Sequence, residues 1–317
     1  MTSTRPESGE DPRLDVVMNE RRQLINVAYR LLGSLAEAED VVQETYARWY
    51  TLSGPERDAI RSPGAWLTTV ASRICLSLLG SARARREVYV GEWIPEPLPD
   101  RAEWNDGRSD SGNGDPADRV TLDESVNMAF LVVLESLTPA ERVAFILHEV
   151  FRYSFIEVAE IVGRTPAACR QLATSARRRL GAAQALPAQA VRTPALTRQR
   201  AEVVRDFKLA WQSKDVNALI GLLNPDAAAT ADGGGLAVTF RDPIEGSEEI
   251  ANAWIEIANR MPLNGTLLER TVNGQPGLVA QQDGVTVTVF AFDVAGDRIR
   301  RIWVMRNPEK LRPWKAR

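Results

Sequence analysis

At 317 residues, 44% apolar and 26% charged, the chain is long enough for two or three domains with real cores. Lys+Arg 39 against Asp+Glu 42 leaves a net charge of −3, so overall charge does not announce a nucleic-acid partner; 35 of the basic residues are arginine, and the first lysine is Lys208. Two distant cysteines, Cys75 and Cys169, and a single histidine, His148, argue against a disulfide scaffold, a zinc site or a histidine-based metalloenzyme, so no metal and no cofactor are expected. The longest apolar run, Met128 to Leu134, is too short to span a bilayer, and the N-terminus lacks the apolar stretch of a signal peptide. A cytoplasmic, multidomain protein without membrane contact is the expectation.

The balanced total hides strong local bias. Residues 87–124 hold eleven acidic side chains and three arginines around a Pro/Gly/Ser/Asp-rich centre (DGRSDSGNGDPAD), which reads as a linker. Residues 161–201 hold eight arginines and no acid, either a solvated basic face or a phosphate footprint.

In chain order, the first segment reads as helices. Leu24, Val27, Ala28, Leu31 and Leu32 follow the spacing of one helix face before Gly33-Ser34 breaks it. A second helix runs from about Leu35 to Trp49 and sets Asp40 and Glu44 on one face. Ser62-Pro63 is an N-cap with proline at the first position, and its helix carries Trp66, Val70 and Ile74 on the side expected to enter the core before Arg83, Arg85 and Arg86. Pro95 and Pro97 then force residues 93–98 (WIPEPL) to be extended.

A second helical segment starts near Leu122. Thr138-Pro139-Ala140-Glu141 is a capping box opening a helix with Val143, Ile146, Leu147 and Val150. A short helix over 154–162, Gly163-Arg164, and a new N-cap at Thr165-Pro166 complete a helix-turn-helix pattern, with Thr165, Arg170, Gln171 and Thr174 in the first turns of its arginine-rich second helix. Arginine and glutamine there suit bidentate contacts to guanine and adenine, while Arg177, Arg178 and Arg179 suit phosphates. A loose segment over about 182–197 reads as a tether. From about Gln199, helical periodicity (Val203, Phe207, Ala210, Trp211) gives way to alternating runs at 278–281, 285–292 and 299–305, expected as antiparallel strands of an α+β domain.

Taken in order, these motifs resemble the extracytoplasmic-function (ECF) sigma factors of bacterial RNA polymerase, within them the subgroup carrying a fused SnoaL-like C-terminal domain. Residues 28–50 (AYRLLGSLAEAEDVVQETYARWY) resemble sigma region 2.1–2.2, residues 62–79 regions 2.3–2.4, and residues 137–180 region 4; WIPEPL, DGGG (Asp232, Gly233, Gly234, Gly235) and NPEKL (Asn307, Pro308, Glu309, Lys310, Leu311) resemble the subgroup's three hallmarks. The departures are Ser77 where an aspartate is usual, no basic residue near Leu79-Gly80, Leu236 for a lysine, and Glu309 for an aspartate.

The resemblance implies two all-α sigma domains and a C-terminal α+β, cone-shaped SnoaL-like barrel. The segments are then region 2 at 1–92, an acidic linker with WIPEPL at 93–121, region 4 at 122–184, a second linker at 185–198 and the SnoaL-like domain at 199–317. It implies a promoter-specificity subunit, not an enzyme, controlled by its own last domain without a separate anti-sigma factor. Asp40, Gln43 and Glu44 would meet the clamp of the polymerase largest subunit, region 4 its flap. Arg73, Arg83, Arg85 and Arg86 would serve the −10 element, and Thr165, Arg170, Gln171, Thr174, Arg177 and Arg178 the −35 element. Trp93, Pro95, Glu96 and Pro97 would dock against DGGG and NPEKL, with Lys310 free to meet the acidic run. The rival reading is a last domain that binds or converts a polyketide- or steroid-like molecule, with Asp226, Asp232, Glu245, Asp283 and Asp293 as candidate acids.

Overall fold

The computed structural model describes residues 20–86, 89–100, 126–183, 193–260 and 265–314. Four helices come first: α1 (Arg21–Leu32), α2 (Leu35–Thr51), α3 (Gly54–Ala59) and α4 (Pro63–Arg86). Gly33 ends α1 at φ 72°, a left-handed conformation that glycine adopts without steric cost, and its N–H caps the Tyr29 carbonyl. Ser34 then caps α2 by accepting from the Glu37 N–H. On α4 the fully buried stripe is Leu67, Ala71, Cys75 and Leu79. The expected stripe of Trp66, Val70 and Ile74 is one residue off: it flanks the core, with Trp66 edge-on to Trp49 at 5.2 Å. Both rows have the same period, and only packing against α1 and α2 selects between them.

The second helical unit holds α5 (Met128–Leu134), α6 (Pro139–Phe145), α7 (Phe155–Val162) and α8 (Pro166–Ala182). Thr138 and Ser154 form full capping boxes with Glu141 and Glu157, and Thr165 caps α8. Past Phe145 the helix widens into one π-helical stretch, Ile146–Val150. His148 there stacks on Phe155 at 3.8 Å and meets the Tyr153 carbonyl at 2.8 Å, a structural role. The two helical units share one continuous apolar core. Buried Arg142 ties them, donating to the Leu31 carbonyl at 3.0 Å and to Glu135 at 2.7 Å, and burial pulls its guanidinium down to about 9.

The last unit begins at α9 (Pro194–Gln212), which opens inside the stretch read as a tether because Thr193-Pro194 supplies a cap and first position. Then come α10 (Val216–Leu222), β1 (Leu223–Asp232), β2 (Ile244–Glu245), α11 (Ser247–Arg260), β3 (Gly265–Val272), β4 (Gln275–Gln282), β5 (Val285–Ala295) and β6 (Arg298–Met305). The sheet order is β2-β1-β6-β5-β4-β3. The three runs expected as antiparallel strands are β4, β5 and β6 and pair so, while β1, which was not foreseen, pairs parallel with β6: these strands are far apart in sequence, so no tight turn dictates their relative direction. One face of the sheet packs Phe290, Phe292 and Ile302 against Phe207, Trp211 and Trp254. The other face carries Val279, Val289, Ala291, Trp303 and Met305, and it receives Ile94, Met128, Leu311 and Trp314. This outer face is where the three units meet.

Candidate functional site

Residues 94–99 are all buried, held extended between the first helical unit and the outer face of the sheet. Two grips hold them. The first is built on Asp232, the last residue of β1, which is 0% exposed. One carboxylate oxygen accepts from the Ile94 N–H at 3.0 Å and from Lys310 Nζ at 2.7 Å; the other accepts from the Tyr89 hydroxyl at 2.6 Å and the Gly234 N–H at 3.0 Å. A carboxylate this deep is tolerable because charge-assisted donors surround it. Lys310 also donates to the Ile94 carbonyl at 2.6 Å and lies 4.1 Å from the centre of the Trp93 ring, a cation–π distance. Lys310 is thus engaged in this grip, and most of the acidic run it was expected to meet, residues 101–125, lies outside the described residues.

The glycines and Asn307 complete this grip. Gly234 has φ 61°, and a Cβ there would collide with the Asn307 amide, so the position suits glycine alone. Gly233 and Gly235 flank it, and Gly235 lies against Val90. Asn307 donates to the Tyr89 hydroxyl at 2.9 Å and accepts from the Glu309 N–H, while Leu311 is buried on the outer face. Pro308 and Glu309 are exposed. Burial first, then the hydrogen bond to Asp232 and that carboxylate's charge, push the Tyr89 phenol up.

The second grip has no ion pair. Asn273, at the β3–β4 turn, is 0% exposed. Its amide nitrogen donates to the Tyr29 hydroxyl at 2.9 Å and to the Val126 carbonyl at 2.8 Å, and its oxygen accepts from the Leu98 N–H at 2.9 Å. Tyr29 donates to the Glu96 carbonyl at 2.7 Å, and Trp314 donates to the Pro97 carbonyl at 2.7 Å. The Glu96 side chain, 4% exposed, accepts from the Leu35 N–H at 2.8 Å and the Ser34 hydroxyl at 3.2 Å, so it caps α2 from outside that helix. Burial raises the Glu96 carboxyl to about 7 against those hydrogen bonds. Pro95 and the Trp93 ring lie against Gly33.

The remaining predicted residues fall elsewhere. Asp40, Gln43 and Glu44 are exposed on α2, Glu44 pairing with Arg48 at 2.8 Å. Arg73 donates to the Glu160 carbonyl on α7 at 2.8 Å, tying the two helical units. The side chains of Arg83, Arg85 and Arg86 lie outside the described residues, although α4 runs through them. On α8, Arg170, Gln171, Thr174 and Arg178 are exposed, Arg170 lying 5.2 Å from the Phe155 ring centre. Thr165 serves as the cap, and Arg177 pairs with Glu149 at 2.5 Å.

Models of Sigma-70 region 2 and Sigma-70 region 4 match residues 16–85 and 127–180. The ECF RNA polymerase sigma factor SigJ of Mycobacterium tuberculosis is 36% identical over 302 residues, 92% of this chain and 90% of SigJ. The probable ECF sigma factor SigI of the same organism is 34% identical, covering 98% of both chains. The chain belongs to the ECF sigma factors. The crystal structure of M. tuberculosis SigJ superposes with a TM-score of 0.71 at 32% identity, over 94% of this chain and 98% of that one. The helical units of this sigma factor are thus regions 2 and 4, its last unit is the fused SnoaL-like α+β domain, and its function is promoter-specific transcription initiation. Among the described residues no helix is long and apolar enough to cross a membrane.

Sequence reasoning missed Tyr29, Tyr89, Arg142, Asn273 and Trp314. Only Asn273 carried a signal: Asn-Gly between alternating apolar runs marks a hairpin turn. That rule locates the turn and says nothing of what its side chain touches.

Proposed function

We propose that this sigma factor docks on core polymerase through exposed Asp40, Gln43 and Glu44 against the clamp of the largest subunit, with region 4 meeting the flap. Arg170, Gln171, Thr174 and Arg178 read the −35 element with Thr165 and Arg177 at its margin, and Arg73, Arg83, Arg85 and Arg86 serve the −10 element. The SnoaL-like domain acts as a built-in regulator in the cytoplasm, so no separate anti-sigma factor is required. The observation that carries this reading is the Asp232 carboxylate, which gathers Tyr89, the Ile94 N–H and Lys310 and so joins WIPEPL, DGGG and NPEKL in one buried network. A tethered domain meets its target at millimolar effective concentration, so a modest interface stays formed. Arg73, tied to Glu160, must leave that carbonyl to reach a phosphate, which fits a closed free form.

The domain is read as binding rather than catalysing. Asp226, Glu245 and Asp283 are exposed, Asp293 is paired with Arg300 at 2.9 Å, and Asp232 is spent in the clasp.

The experiment is run-off transcription with purified core polymerase, comparing the full chain with a form ending at Asn307. That truncation removes Lys310 and Trp314 and should raise promoter-dependent transcript. Arg170→Ala and Gln171→Ala should each cost about 1–3 kcal/mol of −35 discrimination without changing affinity for core. Equal transcript from the two lengths overturns the regulator, and unchanged promoter preference in both point variants overturns the −35 assignment.

A further inference from the structure

A cleft of about 400 Å³ opens where region 4, the SnoaL-like entry helix and the outer face of the sheet converge. It lies apart from the Asp232 grip and borders the inner face of the domain through Phe292 and Val294. One wall is the start of α5 (Asn127, Met128, Ala129), the opposite wall is the first turns of α9 (Leu196, Gln199, Arg200), and Ala291 and Asp293 of β5 form the floor.

Its chemistry is one-sided. Two arginines, Arg200 and Arg300, line it against a single acid, Asp293. Asp293 is engaged by Arg300 at 2.9 Å. Half-buried Arg200 donates instead to the side-chain oxygen of Gln275 at 2.9 Å, a neutral partner that leaves the guanidinium charge unbalanced by that contact. Among the described residues no carboxylate pairs with Arg200, so an anion entering the cleft gains a charge-assisted partner there. Beside the polar Asn127, Gln199 and Gln275, the lining carries an apolar strip that includes Met128, Val272, Pro276 and Ala291. A concave, mostly apolar site with a few convergent polar groups is the usual form of a small-molecule pocket.

We propose that this cleft binds a small amphipathic anion, an apolar body bearing one carboxylate or sulfonate, with the charged group at Arg200 and the body against Met128 and Ala291. Because the walls belong to region 4 and to the fused domain, such a ligand bridges them and favours the arrangement in which they are packed together. The assignment stands on the cleft alone and does not depend on the −35 contacts or on the Asp232 clasp.

The test uses the full-length protein with two fluorescent probes of similar shape, anionic 8-anilinonaphthalene-1-sulfonate and neutral N-phenyl-1-naphthylamine. The anionic probe should bind saturably with one-to-one stoichiometry, be displaced by decanoate but not by decanol, and weaken with added salt. Arg200→Gln should reduce its affinity at least fivefold while leaving the neutral probe within twofold, and Met128→Trp, which fills the cleft, should abolish both. Circular dichroism and the melting temperature establish that each variant is folded. The wild-type comparison of decanoate with decanol needs no variant at all. Unsaturable binding, equal displacement by the two competitors, or an Arg200→Gln affinity equal to wild type in a folded protein overturns the proposal. Run-off transcription of the same variants separates this result from the regulator reading: the probe result can fail while promoter output still rises on truncation.

Discussion

The two grips on residues 94–99 lie on the same sheet yet are built from opposite chemistry. Around Asp232 the grip is ionic, a buried carboxylate against Lys310 with a phenol and main-chain N–H groups completing it. Around Asn273 it is neutral, an amide whose donors and acceptor are matched to Tyr29, Val126 and Leu98. The ionic grip joins Tyr89 and the start of WIPEPL to the C-terminal motifs. The neutral one reaches α1 of region 2 and the entry to region 4. A buried ion pair is unforgiving, because losing either partner strands the other charge, whereas a lost amide strands only dipoles. Both grips hold the linker, the ionic one at Ile94 and the neutral one at Glu96 and Leu98.

The largest effect should come from Asp232→Ala. It leaves the Lys310 ammonium buried beside the Ile94 carbonyl, and breaking a buried pair from one side costs about 3–5 kcal/mol. Hydrogen exchange at the Ile94 amide should accelerate accordingly, and an unchanged rate would break the ranking of the two grips. Asn273→Ala should cost about 1–3 kcal/mol, since the Leu98 N–H and Val126 carbonyl lose buried partners. Its signature is faster exchange at Leu98 with Ile94 little affected.

A pH titration sharpens the comparison further. Docking raises the Glu96 carboxyl from its ordinary 4.5 to about 7, so the docked state takes up a proton. This contribution is fully present below about pH 4.5 and is lost as pH rises through about 7, with a limiting slope of about 1.4 kcal/mol per pH unit. Linker protection measured between pH 5 and 8 should fall with rising pH, and Glu96→Gln should flatten that dependence. A profile that rises with pH would reverse the assigned sign. The smallest effect is expected from Arg73→Ala, which removes one exposed hydrogen bond to the Glu160 carbonyl and should cost about 0.5–1.5 kcal/mol of contact between regions 2 and 4. Interdomain distances from paired spin labels on α4 and α7 should broaden modestly.

Much of this protein was legible before any coordinates. The capping boxes at Thr138 and Ser154, the proline-opened helices at Ser62 and Thr165, and the stop at Gly33 are local events whose physics is complete within four residues, so sequence alone determined where those helices begin or end. The ordered motifs likewise identified the family, and the prolines of WIPEPL dictated an extended segment. Strand β1 (LNPDAAATAD) was not legible, because its proline and alanines carry little strand preference and its place beside β6 is held by packing. Nor was the choice between two neighbouring stripes on α4, which have the same period and differ only in what covers them. The partners of Lys310 and Asn273 belong to the same class. Lys310 meets Asp232 across 78 positions, and Asn273 meets Tyr29 across 244. Such pairings depend on how separately folded units come to rest against one another. The sequence by itself determined the elements and the family, while only the tertiary structure decided which buried polar groups answer one another, because a buried donor is satisfied by whatever the fold brings within about 3 Å.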